Sequence, residues 1–129
     1  RYVSDAEAAT LFARAAVVVL PYRAIDQSGV LAVALGLGRA AVATAVGGFR
    51  ELGEEFGYPA LARPGDEDEL AERIADLVSH PQRRRELETR AEELAAGPLS
   101  FSAVARTLIA LYERLGLPSA RSVETETEA

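Results

Sequence analysis

The chain has 129 residues, 49% of them hydrophobic, with 20 acidic residues against 14 basic ones and a formal net charge of −6. That size suits one modest domain with a packed core, and the acidic balance argues against a broad nucleic-acid surface, which needs clustered cations. With no Cys and a single His, His80, the sequence leaves no disulfide, no thiolate metal site, no Cys nucleophile and little room for a His-based metal site or triad.

No apolar run approaches the roughly 20 residues needed to cross a bilayer, and no signal peptide is visible. The expected location is cytoplasmic, with peripheral contact at the inner face of the membrane left open. The chain starts at Arg1 and contains no Met, so it is read as a piece of a larger protein. All of its basic residues are Arg.

Ser4-Asp5-Ala6-Glu7 has the spacing of a capping box. Ala8, Leu11, Phe12 and Ala15 then recur at helical spacing, which predicts a helix over 5–15. Val17-Val18-Val19-Leu20, closed by Pro21, reads as a strand buried on both faces. A polar loop follows, Ser28 suits the N-cap of a helix to about residue 37, and Gly38 suits its C′ position. A second strand is expected over 40–44, then a Gly47-Gly48 turn and a helix starting near Phe49 and fading at Gly57. Ala60-Leu61-Ala62 reads as a short third strand, and Pro64-Gly65-Asp66 as a turn with an N-cap. A helix over 68–78 would bury Leu70, Ile74, Leu77 and Val78. Pro81 opens another over 82–95. Ser102 is the expected cap of a last helix, 103–115, with Val104, Leu108, Leu111 and Tyr112 facing inward.

This alternation predicts an α/β, Rossmann-like parallel sheet of about three strands, with helices on both faces and further C-terminal helices. Residues 1–117 form the folded part, and 118–129 are expected to be a disordered acidic tail. So thin a sheet suggests that further strands precede Arg1.

Gly36-Leu37-Gly38-Arg39-Ala40-Ala41 matches the dinucleotide pattern G-x-G-x-x-G/A. Its context is reversed. The fingerprint needs a strand before its glycines and a helix after them, whereas these glycines close a helix and precede a strand. A pyrophosphate there would face the negative end of the helix dipole. A helix C-cap is the better reading. The other end of the same helix has the right context: a strand ends, a loop follows, and Gln27-Ser28-Gly29-Val30 opens a helix whose free N–H groups suit an anion.

At these residues the chain resembles the C-terminal, donor-binding part of a group 1, family 4 glycosyltransferase of the GT-B fold. The stretches that carry the resemblance are "FARAAVVVLP", "GRAAVATAVGGFRE" and "RPGDEDELAERI". They fall in the family's order and spacing, and the likeness covers residues 3–115. It implies an incomplete half of a GT-B C-terminal domain. The implied reaction is retaining transfer of a hexosyl group from a nucleotide diphosphate sugar, with no metal required and no other cofactor. The donor and its phosphates are expected on Asp26, Gln27, Ser28, Gly29 and Val30. Arg23, Gly47, Gly48 and Glu51 are candidate cleft-lining residues. The partners implied are the nucleotide-sugar donor and an N-terminal acceptor domain missing from this chain, with no nucleic acid and no transmembrane segment. This piece alone is therefore expected to be inactive.

The chain also departs from the family pattern. Many members carry E-x7-E here, and Ile25 and Val33 stand at those positions. The chain looks like a "QSGV" variant, in which Asp26 replaces the first Glu by a shift of one residue. Ala40 stands where Pro is usual. No catalytic residue is assigned. Two alternatives remain: a non-catalytic module of the same ancestry, and a sugar-nucleotide epimerase of the same architecture.

Asp66-Glu67-Asp68-Glu69 is read as acids complementing a helix dipole, not as a metal site. His80 reads as a C-terminal cap, and Arg83-Arg84-Arg85 as one side of i,i+4 pairs within a solvated helix.

Overall fold

The computed structural model describes residues 2–26 and 28–116. The expected tail lies outside these residues, as does Gln27. The chain divides into two compact units, Arg1–Ala95 and Ala96–Ala129.

The first unit is built on a parallel sheet of three strands in the order β1-β2-β3: β1 (Val18–Leu20), β2 (Ala41–Thr44) and β3 (Ala60–Ala62). The register pairs Leu20 with Ala43, and Thr44 with Ala62. Successive strand residues face opposite sides of a sheet, and all four residues of β2 are buried. The central strand is therefore covered on both faces, which is why "AVAT" shows no alternation. The helix α1 (Asp5–Arg14) precedes the strands, and α2 (Gly29–Gly36), α3 (Gly47–Phe56), α4 (Glu67–Ser79) and α5 (Pro81–Ala96) fall between and after them. This is the α/β, Rossmann-like order expected from the sequence.

The core gathers Leu20, Leu31, Ala34, Val42, Phe49, Tyr58, Leu77 and Leu94. Small residues bring elements close together. A Cβ on Gly53 would lie 2.5 Å from Cγ of Leu61, so α3 rests directly on β3. The Tyr58 hydroxyl donates to the Arg39 carbonyl at 2.9 Å, joining the start of β3 to the start of β2. Burial pushes the Tyr58 phenol far up from its ordinary pKa, so it stays a neutral donor.

Side-chain caps fix three of the helix starts in this unit. Ser4 and Glu7 form the full capping box of α1, Ser28 accepts from the Leu31 N–H, and Asp66 accepts from the Glu69 N–H. Gly38 takes φ +63 just beyond α2, as its C′ role requires. Five expectations about the helices need correction. α3 starts at Gly47, two residues early, because the extended Val46 caps it without a side-chain bond. Val78 is 52% exposed, so the buried face of α4 is carried by Leu77, with Leu70 and Ile74 half-buried beside it. Arg83 and Arg84 do not pair along α5. Arg83 bonds Asp76, and Arg84 donates to the carbonyls of Leu77 and Val78. The short His80-Pro81 link places these guanidinium groups under the carbonyl end of α4, where cations are favoured. His80 caps that end too, with Nδ1 2.9 Å from the Asp76 carbonyl.

The fourth and fifth corrections fall in the second unit, which holds α6 (Phe101–Arg114). Ser100, not Ser102, is its cap, accepting from the Ala103 N–H at 3.1 Å. Starting at Phe101 gives the helix an extra half-turn of backbone bonds, and propagation favours the longer form. Val104, Leu108, Leu111 and Tyr112 are 42–48% exposed, so the expected inward face is not buried among the described residues.

Candidate functional site

In an open parallel sheet the ligand crevice lies at the carboxyl ends of the strands. Here that edge carries the loop from Pro21 to Ser28 after β1, the turn Ala45-Val46 after β2, and the turn Arg63-Pro64-Gly65-Asp66 after β3.

The first two are locked together. The buried Thr44 hydroxyl, at the end of β2, donates to the Tyr22 carbonyl at 2.5 Å, with the Leu20 carbonyl 3.4 Å away. The Tyr22 ring stacks on buried Phe49 of α3, with centroids 5.6 Å apart. Val46 N–H donates to the Thr44 carbonyl at 2.8 Å, turning the chain sharply into α3. Gly47, at φ +45, then passes so close that a Cβ would lie 1.9 Å from the Ile25 carbonyl oxygen. A Cβ on Gly48 would lie 2.8 Å from the Asp26 carbonyl oxygen. Only glycines allow this approach.

The first residues of α3 therefore lie against the loop that precedes α2. The N–H groups of Gly29, Val30, Gly47 and Gly48 have no hydrogen-bond partner among the described residues. Neither α2 nor α3 has an acid in its first turn. By contrast, α1 carries Asp5 and Glu7 there, and α4 carries Glu67, Asp68 and Glu69. Like α5 and α6, α2 and α3 carry no first-turn acid, and theirs are the positive ends that follow β1 and β2 at the carboxyl edge.

Of the predicted residues, Asp26, Gly29, Val30, Arg23, Gly47 and Glu51 are exposed, and Ser28 and Gly48 are half-buried. Asp26, Gly47 and Gly48 meet, and Ser28, Gly29 and Val30 form the start of α2. Ser28 spends its oxygen as an acceptor on Leu31 N–H at 3.2 Å, and its hydroxyl proton is still available to a ligand. Arg23 and Glu51 make no ion pair with a described residue. Gly36 and Gly38 lie at the other end of α2, away from this edge. Thr44 and Tyr22 were not singled out from the sequence. The one signal was a hydroxyl closing an otherwise apolar strand.

The third turn is internally satisfied. Arg63 bonds Glu69 and Asp66, each at 2.8 Å, and its backbone N–H donates to Glu69 at 2.9 Å. The Glu69 pKa is lowered, first by the Arg63 backbone N–H and then by its guanidinium. A depressed folded-state pKa stabilises the fold above the ordinary Glu value, and that contribution is lost as pH falls through the lowered one. Carbon-detected NMR should therefore find Glu69 titrating below the ordinary glutamate value. Arg63→Ala should reverse only part of the shift, because the backbone bond remains. Full reversal would mean that the guanidinium alone sets it.

The fold and this edge define the class: a parallel α/β protein with two open helix N-termini at the carboxyl edge of its sheet. The chain belongs to the group 1 glycosyltransferases, since the family model described as "Glycosyl transferases group 1" matches residues 1–80. The match runs from α1 through α4 and takes in the whole of this edge. No curated protein matches the chain. No single described helix is long and apolar enough to cross a membrane.

Proposed function

We propose that the chain supplies the donor-binding portion of a retaining glycosyltransferase of GT-B architecture, taking a hexosyl nucleotide diphosphate sugar. The observation that carries this reading is the pair of uncompensated helix N-termini at the carboxyl edge. A diphosphate is the ligand chemistry such a pair suits best: two adjacent charged phosphoryl groups facing two groups of N–H donors. As the glycosidic bond breaks, negative charge grows on the departing nucleoside diphosphate. Fixed N–H donors and helix dipoles stabilise it there, with no metal required. Asp26 is the group available to accept from hydroxyls of the sugar. Arg23 adds a cation in the same loop, and Glu51 and Gln27 complete the set of candidate donor contacts. The acceptor would be held by a second α/β domain, and transfer then needs both domains to align the reactants and exclude water.

Ile25 and Val33 favour a second reading, a module that binds the donor without chemistry. Neither side chain accepts a hydrogen bond, and Val33 is 46% exposed on α2 with no polar atom to offer.

The test is calorimetric titration of the chain with uridine, guanosine and adenosine diphosphates, followed by assay of the matching nucleotide sugars. Saturable binding of at least one, without turnover by this chain alone, is the expected result. Turnover by the chain alone would overturn the need for a second domain. Failure to bind any of the three would overturn the donor-site reading.

A further inference from the structure

We infer that Thr44 is a positioning residue for the diphosphate, acting through the Tyr22 carbonyl rather than by touching the ligand. This rests on the donor-site reading above and assigns that site its internal brace.

Beside Tyr58, Thr44 is the only buried residue with a polar side-chain group among the described residues. It ends a strand whose other residues are Ala41, Val42 and Ala43, all fully buried. A hydroxyl in such a place needs a partner. It finds one in Tyr22, 22 residues earlier. A hydroxyl has a single proton, so the bond to Tyr22 is the principal one and Leu20, at 3.4 Å, is secondary.

What this bond joins matters. Tyr22 starts the loop that ends in Ser28, the cap of α2. Thr44 itself accepts through its carbonyl from Val46 N–H, in the turn that delivers Gly47 and Gly48. One residue therefore holds the approach to both helix N-termini. The stacking of Tyr22 on Phe49 repeats the link on the side-chain level. Freed from Thr44, the loop keeps its stacking contact but loses its fixed register against Gly47 and Gly48.

Two substitutions separate this role from a merely structural one. Thr44→Val keeps the shape and the buried methyl and removes the hydroxyl. Thr44→Ser keeps the hydroxyl and removes the methyl. The probes are inorganic pyrophosphate and the nucleoside diphosphate that binds the parent chain, measured by calorimetry, with amide hydrogen exchange over residues 22–32 as a second readout. Thr44→Val should weaken binding roughly 10-fold and speed exchange in the loop, with a melting temperature near that of the parent. Thr44→Ser should melt lower and bind like the parent. If binding instead follows melting temperature across the two variants, or if Thr44→Val binds like the parent with unchanged exchange, the positioning role is overturned. A parent chain that binds no probe overturns the donor-site reading itself, and with it the role of Thr44. Parent binding with an indifferent Thr44→Val overturns the role alone.

Discussion

Gly47→Ala is expected to be the most damaging single substitution at the carboxyl edge, lowering stability by about 2–3 kcal/mol and eliminating diphosphate binding. Two effects add. Gly47 sits at φ +45, where an L side chain is strained, which contributes about 1 kcal/mol. Its Cβ would also lie 1.9 Å from the Ile25 carbonyl oxygen, well inside contact distance. That oxygen belongs to the backbone of the loop after β1, so relief requires the loop to move as a whole. The comparison is Gly53→Ala. There the added Cβ would lie 2.5 Å from Leu61 side-chain atoms, and a side chain can adjust its rotamer. Gly53→Ala should thus cost less stability and leave binding in place. Chemical denaturation and calorimetry on both variants decide the matter. Parent-like stability in Gly47→Ala would mean that the contact between the two loops does not exist in solution.

Most of the fold was readable because its signals are local. The capping boxes and N-caps at Ser4, Ser28 and Asp66 need only a hydroxyl or carboxylate three residues before a free N–H. The unbroken run at β2 reveals burial on both faces, whereas β1, expected to be buried on both faces, is buried only at Leu20 and half-buried at Val18 and Val19 because it lies at the edge of the sheet. Where the signal is not local, the sequence was silent or misleading. α3 begins at Gly47 because Val46 is extended and Gly47-Gly48 must pass under Ile25 and Asp26, a demand set by a loop more than 20 residues earlier. Ser100 and Ser102 offer the same chemistry two residues apart, and only the helix itself chooses between them. The acids of 66–69 did read correctly as helix-start residues, yet the partner that holds them, Arg63, could be assigned only once the turn was folded. The candidate site follows the same division. The N-terminus of α2 was legible from Ser28 and Gly29. Its neighbour at α3, and the Thr44 bond that ties the two, join residues far apart in the chain.

The orientation of α2 makes the final expectation a crossed one, since its two ends carry different burdens. Gly29 is the first residue of the helix, is exposed, and has nothing within 4 Å of a built Cβ. Gly29→Val should therefore fold as the parent does, with stability changed by no more than about 0.5 kcal/mol. Its branched side chain would stand over the N–H groups of Gly29 and Val30, where a phosphate must approach. Binding of the nucleoside diphosphate should fall below detection. Gly38 presents the reverse case. At φ +63, with a Cβ that would lie 2.7 Å from Cγ of Glu92, Gly38→Ala should destabilise the fold by about 1–2 kcal/mol. The folded fraction should still bind as the parent does, because the ligand lies at the opposite end. Gly36, by contrast, has no positive φ and open space around its Cβ, so Gly36→Ala should be neutral or slightly stabilising. Melting curves and calorimetry on the three variants give six numbers with a fixed pattern. If Gly38→Ala abolishes binding at parent-like stability while Gly29→Val binds normally, the ligand sits at the glycine-rich C-terminus of α2, and the donor site has been placed at the wrong end.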